Sequence, residues 1–109
     1  MTTVSAYTRH MTAFSGIDAD KLKKEGRRQG ATFLALFGSH ARGDTHPESD
    51  VDLLARFENG KSLLDLASIE SRLSEAIGKK VDLVTEGALS PLLRQTIMKE
   101  MVILLDHEP

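Results

Sequence analysis

The sequence contains no cysteine among its 109 residues. This absence excludes disulfides, thiolate catalysis and cysteine-ligated metal clusters, and it is compatible with a reducing compartment. No apolar run approaches the roughly 18 residues that a membrane span needs, and none has the form of a signal-peptide core. We therefore expect a cytoplasmic protein that does not engage a membrane.

The sequence also has little excess charge of either sign. Lys and Arg number 14 against 16 acidic residues, which gives a net charge of -2. This balance provides no general electrostatic basis for binding nucleic acid. One basic cluster is interrupted by Glu25, and on a predicted helix a solvated face is its more usual explanation. The cluster consists of Lys21, Lys23, Lys24, Arg27 and Arg28. Direct nucleic-acid binding is therefore not expected.

The length predicts one domain with a single core and little room for a separate substrate module. Residues 1–16 form an N-terminal extension, and residues 17–109 form the domain. The extension is rich in Thr and Ser, as organellar transit peptides are, but a packing helix is the preferred interpretation. Its apolar residues recur at helical spacing and would share one face of that helix. They are Val4, Tyr7, Met11 and Phe14.

The rest of the sequence alternates helical and strand patterns, without internal repeats. Strands are predicted at 32–37, 50–57 and 81–85, and helices at 18–29, from Ser62 to Gly78, and from Ser90 onward. Ser62 and Asp65 have the spacing of a capping box, and Pro91 suits a first helical turn. This order predicts an α+β fold, in which a small mixed β-sheet has helices packed mainly on one side.

Two of the predicted helices carry apolar stripes that we expect to be buried. The stripe of the longer helix consists of Leu66, Ile69, Leu73 and Ile77. The stripe of the last helix consists of Leu93, Ile97 and Met101.

A glycine-containing turn follows the first predicted strand, with the sequence Gly38-Ser39-His40-Ala41-Arg42-Gly43. Gly38 permits unusual backbone angles and close approach of a ligand to the chain. Ser39 can donate its hydroxyl and its N–H to phosphate oxygens at the start of a helix. Arg42 could contact phosphate or form a surface ion pair, and its sequence position leaves both open. His40 indicates no function.

Three aspartates are the candidate catalytic and metal-binding residues. Side chains alternate along a strand, so Asp50 and Asp52 share one face. Repulsion between them, together with burial, should raise at least one pKa, and Mg²⁺ would relieve that cost. Asp82 lies in Val-Asp-Leu, as Asp52 does, and pairing of their strands would bring three carboxylates together. The alternative for Asp82 is an exposed strand residue.

The remaining histidines do not indicate a metal site. His10, His46 and His107 include no pair at the spacing of metal ligands. A zinc site is therefore not expected.

The Gly-Ser turn, the spacer and the Asp-x-Asp of Asp50 and Asp52 together resemble the minimal nucleotidyltransferase (MNT) domain of the DNA polymerase β-like superfamily. The resemblance implies a nucleotidyltransferase fold, with ATP as substrate bound through Gly38, Ser39 and Arg42. It also implies two Mg²⁺ ions, or Mn²⁺, held by the three aspartates. Asp82 would be the third acid of the family and would activate the attacking hydroxyl.

The size of the chain is similar to that of MNT antitoxins in HEPN/MNT toxin–antitoxin pairs. That resemblance implies transfer of AMP from ATP to a tyrosine of a helical HEPN ribonuclease. Two alternatives remain open. The chain could silence the toxin by occlusion without catalysis, or it could act with a helical subunit to modify a small molecule such as an antibiotic. The intact acids argue against the first alternative, and an assay with a small-molecule acceptor would distinguish the second.

Overall fold

A computed structural model describes residues 17–43 and 50–106 of the chain. The predicted apolar face of the N-terminal extension lies outside the described residues, as do His10, His46 and His107. The elements are α1 (Ala19–Arg28), β1 (Ala31–Phe37), α2 (Ser39–Arg42), β2 (Val51–Phe57), α3 (Leu63–Ile77), β3 (Val81–Thr85), α4 (Pro91–Glu100) and β4 (Val102–Asp106). A short 3-10 turn, Glu86–Ala88, separates β3 from α4.

The four strands form one mixed sheet in the order β3-β2-β1-β4. β1 is antiparallel to both β2 and β4, whereas β2 and β3 run parallel. Parallel neighbours need a crossover between them, and α3 provides it. The sheet confirms the predicted α+β fold.

The two faces of the sheet are covered unequally. Successive residues of a strand project from opposite faces of the sheet and therefore belong to two different core clusters. Leu34 and Leu36 of β1 belong to the larger core cluster, which includes Leu22 of α1 and Leu73 of α3. The side chains on the other face of the sheet, such as Phe33 and Ala35 of β1, form a smaller cluster with a single buried residue of α4, Ile97. Helices therefore pack mainly on one side, as predicted, and the other face stays more accessible.

The helix starts follow the capping residues in the sequence. Ser62 accepts the N–H of Asp65 at 3.1 Å, and the Asp65 carboxylate accepts the N–H of Ser62 at 2.9 Å, which completes the predicted capping box. Ser90 accepts the N–H of Leu93 at 3.2 Å ahead of Pro91. These contacts fix where α3 and α4 begin.

The buried stripe of α3 is confirmed, whereas that of α4 is partly wrong. Ile97 is 1% exposed, but Leu93, which was expected to be buried, is 46% exposed. Among the described residues of α4, Ile97 belongs to the smaller cluster, and Met101, directly after the helix, packs against it, so α4 meets the sheet through its C-terminal half. Leu93 lies one turn earlier and remains at the surface. None of the described helices is long and apolar enough to cross a membrane.

Candidate functional site

Asp52 and Asp82 occupy paired positions on the parallel strands β2 and β3. The register places Val51 opposite Val81, and Asp52 opposite Asp82. Directly paired residues of a sheet project from the same face, so the two carboxylates are neighbours. Asp52 is half-buried and Asp82 is exposed. The strand pairing expected from the two Val-Asp-Leu segments is confirmed.

Asp50 lies just before β2, which begins one residue later than predicted. The N–H of Val51 donates to the carbonyl of Lys80 at 2.9 Å, which joins the chain here to the start of β3. The Asp50 carboxylate lies 3.8 Å from the Lys80 ammonium. All three aspartates therefore lie at the same end of the β2–β3 pair.

The electrostatic environment of Asp52 disfavours its charge. Burial raises the pKa of Asp52, and the carboxylates of Asp82 and Asp50 raise it further, whereas His40 and Arg42 act in the opposite direction. Desolvation and like charge are both expected to have this effect. The expectation of a raised pKa in the acid pair is met at Asp52.

The carboxylates do not form a preassembled metal cage. Among residues 17–43 and 50–106, no group of three or more His, Cys, Asp or Glu side chains is arranged to hold a metal ion. Mg²⁺, however, prefers oxygen ligands and is commonly held by one or two carboxylates together with water and substrate phosphates. Asp52 and Asp82, with Asp50 nearby, are the described residues that could hold such an ion.

The glycine turn packs directly against Asp52. Phe37, the last residue of β1, pairs with Asp52, and Gly38 follows with φ 76° and ψ -152°. A Cβ placed on Gly38 would lie 3.2 Å from the carboxyl carbon of Asp52 and closer still to its Oδ2. Only glycine therefore fits between β1 and this carboxylate. The α2 helix starts immediately afterwards at Ser39, and the amides of Ala41 and Arg42 donate to the carbonyl of Gly38, both at 3.1 Å.

His40 is the site residue to which the sequence assigned no role. Its side chain is 1% exposed, and its presence lowers the pKa of Asp52. α2 has only four residues, so no periodic pattern in the sequence could have shown which of them points inward. The buried position depends on how the turn folds back onto β1 and β2.

Arg42 adopts the ion-pair alternative in the structure. Its Nη1 lies 3.3 Å from Oε1 of Glu100, and its side chain is about half exposed. Glu100 ends α4, so the pair connects the glycine turn to that helix. A contact between Arg42 and phosphate stays a prediction.

Gly38→Ala should destabilise the protein and displace the Asp52 carboxylate. The positive φ alone costs about 1–3 kcal/mol for a residue with a Cβ, and the contact with Asp52 adds to that cost. We expect a lower unfolding free energy in urea and loss of nucleotide transfer. Gly43→Ala is the matched control, because Gly43 has φ 81° but no atom of the described residues within 4 Å of an added Cβ. Equal losses in both variants would show that the approach to Asp52 is unimportant.

Asp52→Asn should stabilise the protein at neutral pH when divalent cations are absent. Below the ordinary carboxyl pKa, residue 52 is neutral in both the folded and unfolded states, so the two proteins should melt alike. As pH rises through the raised pKa of folded Asp52, ionisation costs more in the folded state, and the wild type loses stability relative to the variant. Thermal melts in EDTA across this pH range measure the difference in stability between the wild type and the variant.

Asp65→Asn is a control in which the change in stability at neutral pH should have the opposite sign. Hydrogen bonds from the backbone and then the side chain of Ser62 lower the pKa of Asp65. The stabilisation by its charge is present above the ordinary carboxyl pKa and disappears as pH falls through the lowered value. Asp65→Asn should therefore reduce stability at neutral pH, whereas a reduction by Asp52→Asn would contradict the assigned environment.

A small mixed sheet that sets a glycine turn against a carboxylate, beside a second acid on the next strand, defines the nucleotidyltransferase class. The chain belongs to the nucleotidyltransferase domain family, whose model matches residues 19–104. It is accordingly an enzyme, a nucleotidyltransferase. The matched region includes the glycine turn and all three aspartates.

Several known proteins are similar to the chain. A Methanocaldococcus jannaschii protein named as a candidate protein adenylyltransferase is 41% identical over 72% of this chain and 84% of its own length. The protein adenylyltransferase MntA of Thermococcus cleftensis is 40% identical over 73% of this chain and 82% of its own. A chain from the crystal structure of a mutant toxin–antitoxin complex, MntA–HpeT, has a TM-score of 0.70 and 25% identity, covering 80% of this chain and 71% of that one.

Proposed function

We propose that the chain transfers AMP from ATP to a tyrosine hydroxyl of a helical HEPN ribonuclease, and thereby acts as its antitoxin. The observation that carries the proposal is the register of β2 and β3, which sets Asp52 beside Asp82 while Gly38 packs against Asp52. A phosphate-binding turn beside two acids would form the site for the nucleotide that donates AMP.

The choice of a protein acceptor is supported by the relatives. One relative, at 40% identity, is named a protein adenylyltransferase, and another, at 41% identity, is named as a candidate one. The MntA–HpeT structure is described as a toxin–antitoxin complex. The described part of this chain is a single sheet with its own helices, so the acceptor would come from the partner. The partner would present its hydroxyl on the accessible face of the sheet, where Asp82 is exposed.

Each residue of the site has a part in the proposed reaction. The Gly38-Ser39 turn binds the β- and γ-phosphates of ATP, and Ser39 donates its hydroxyl and its N–H to them. Asp82 accepts the proton of the acceptor hydroxyl. The hydroxyl oxygen then bonds to the α-phosphorus, the bond from that phosphorus to the bridging oxygen breaks, and pyrophosphate leaves with the electron pair.

Metal binding belongs to the same proposal. Asp50 and Asp52, with Asp82, would hold Mg²⁺, and two ions are expected, with Mn²⁺ as a substitute. Bound cations supply positive charge that neutralises the phosphate oxygens during transfer. Burial and the neighbouring carboxylates raise the pKa of Asp52, and a bound cation would offset both effects, which supports this assignment.

Labelled ATP tests which part of the nucleotide is transferred. The chain is co-expressed with a helical HEPN protein as its partner, and the purified complex is incubated with ATP labelled at either the α- or the γ-phosphate. We expect label on the partner from α-labelled ATP and none from γ-labelled ATP. Label from the γ-position would indicate phosphoryl transfer and would exclude the proposed reaction.

The same complex distinguishes catalysis from occlusion. If the wild type leaves the partner unlabelled yet blocks its ribonuclease activity, the chain acts by covering the toxin. If label appears on an added small molecule and not on the partner, the chain is a subunit of a small-molecule transferase.

A further inference from the structure

Asp82 lies on a strand that has only one neighbour in the sheet. β3 is at one end of the order β3-β2-β1-β4 and pairs with β2. The outer side of an edge strand presents backbone groups that the sheet does not hold, and such strands slip or fray more readily than central ones. A residue whose carboxylate must stay beside Asp52 therefore needs support from outside the sheet.

Two side chains of α3 bind the backbone on either side of Asp82. The N–H of Val81 donates to the hydroxyl oxygen of Ser74 at 2.9 Å. The N–H of Leu83 donates to a carboxylate oxygen of Glu70 at 2.8 Å. The Ser74 hydroxyl in turn donates to the carbonyl of Glu70 at 2.8 Å, which directs its oxygen toward the strand. All three contacts are partly buried.

The spacing of these contacts follows from the geometry of a helix and a strand. Four helical residues, from Glu70 to Ser74, rise about 6 Å. Two strand residues, from Val81 to Leu83, advance about 6.6 Å. Because α3 runs antiparallel to β3, Glu70 meets the later strand residue and Ser74 the earlier one. The two acceptors therefore match two successive outward N–H groups.

We infer that Glu70 and Ser74 are positioning residues that hold the Asp82 segment in register beside Asp52. Both contact the backbone of β3 and act on Asp82 through it. The catalytic consequence rests on the proposed function, in which Asp82 accepts a proton. The structural consequence, that the edge strand β3 is held in register, does not rest on the proposed function.

Amide hydrogen exchange tests the backbone contacts directly. In Glu70→Ala, exchange at the Leu83 amide should be roughly tenfold faster or more, because a hydrogen bond to a charged acceptor is lost. In Ser74→Ala, the faster exchange should appear at the Val81 amide. Glu70→Gln retains an acceptor oxygen and should restore much of the protection. Exchange at Leu36, in the central strand β1, should be unchanged and reports that the fold is intact.

Two exposed residues of α3 provide matched controls. Glu75→Ala and Ser71→Ala make the same chemical changes on the same helix, at positions that are exposed. They should leave exchange at Val81 and Leu83 unchanged. Equal exchange at Leu83 in the wild type and Glu70→Ala would overturn the inference, as would an equal acceleration by Glu75→Ala.

Paramagnetic broadening tests whether the contacts place Asp82 at the site. With Mn²⁺ and a non-hydrolysable ATP analogue, the amide signals of Asp52 and Asp82 should both broaden in the wild type. In the Glu70→Ala, Ser74→Ala double variant, broadening should persist at Asp52 and weaken at Asp82. Unchanged broadening at Asp82 would contradict a positioning role. If neither signal broadens in the wild type, the proposed metal site fails, and the exchange measurements alone decide the inference.

Discussion

Asp52→Ala should reduce nucleotide transfer by roughly a thousandfold or more, which corresponds to about 4 kcal/mol of transition-state stabilisation. The physical reason is that transfer of a phosphorus group depends on positioning and on neutralising charge, and Asp52 lies at the centre of the carboxylate group. Asp50→Ala should have an effect of similar size. Pyrophosphate release with the partner and ATP measures the loss.

The loss in the rate of nucleotide transfer should depend on the role of each residue in the reaction. Ser39→Ala removes one of several phosphate donors and should cost about 1.5–3 kcal/mol. Asp20→Ala, at an exposed position of α1, should leave the rate unchanged. Unfolding in urea should show that Asp52→Ala is folded and no less stable than the wild type at neutral pH. If Ser39→Ala abolished transfer while Asp52→Ala retained it, the assigned roles would be wrong.

Mg²⁺ should bind weakly to the protein alone and roughly tenfold more tightly, or better, in the presence of a non-hydrolysable ATP analogue. The protein provides carboxylates without a complete cage, and the phosphates supply the missing oxygen ligands. Isothermal titration calorimetry with and without the analogue measures the difference. Asp50→Asn should reduce it, because this change removes one carboxylate charge from the group.

Lys80→Gln is a control for Asp50→Asn, because it changes a charge beside Asp50 without removing a carboxylate that could bind Mg²⁺. The Lys80 ammonium lies 3.8 Å from the Asp50 carboxylate and is itself exposed. Lys80→Gln should therefore not weaken the nucleotide-dependent binding of Mg²⁺, whereas Asp50→Asn should. Equal Mg²⁺ affinity with and without the nucleotide analogue would contradict the site assignment.

The placement of most candidate site residues could be predicted because its signals are local. The Gly38 turn and the alternation of Asp50 and Asp52 need only the chain near them. Asp82 required a further step, since its partner strand had to be inferred from the matching Val-Asp-Leu segments. The observed pairing of Asp52 with Asp82 confirms that step.

The parts that could not be predicted depend on how separate elements meet. The burial of His40 follows from the packing of a four-residue helix, which is too short to show a period. The exposure of Leu93 follows from the limited contact between α4 and the sheet. The contacts of Glu70 and Ser74 with β3 depend on the register between a helix and a strand, and the sequence does not encode that register in any local pattern.

The intact mass of the partner, purified after co-expression with the chain, tests the central claim most directly. With the wild type, the partner should gain one or more AMP units, and with Asp52→Ala it should gain none. The mass of the chain itself serves as an internal reference. A partner of unmodified mass from the wild-type complex, isolated with ATP and Mg²⁺ present, would contradict the account.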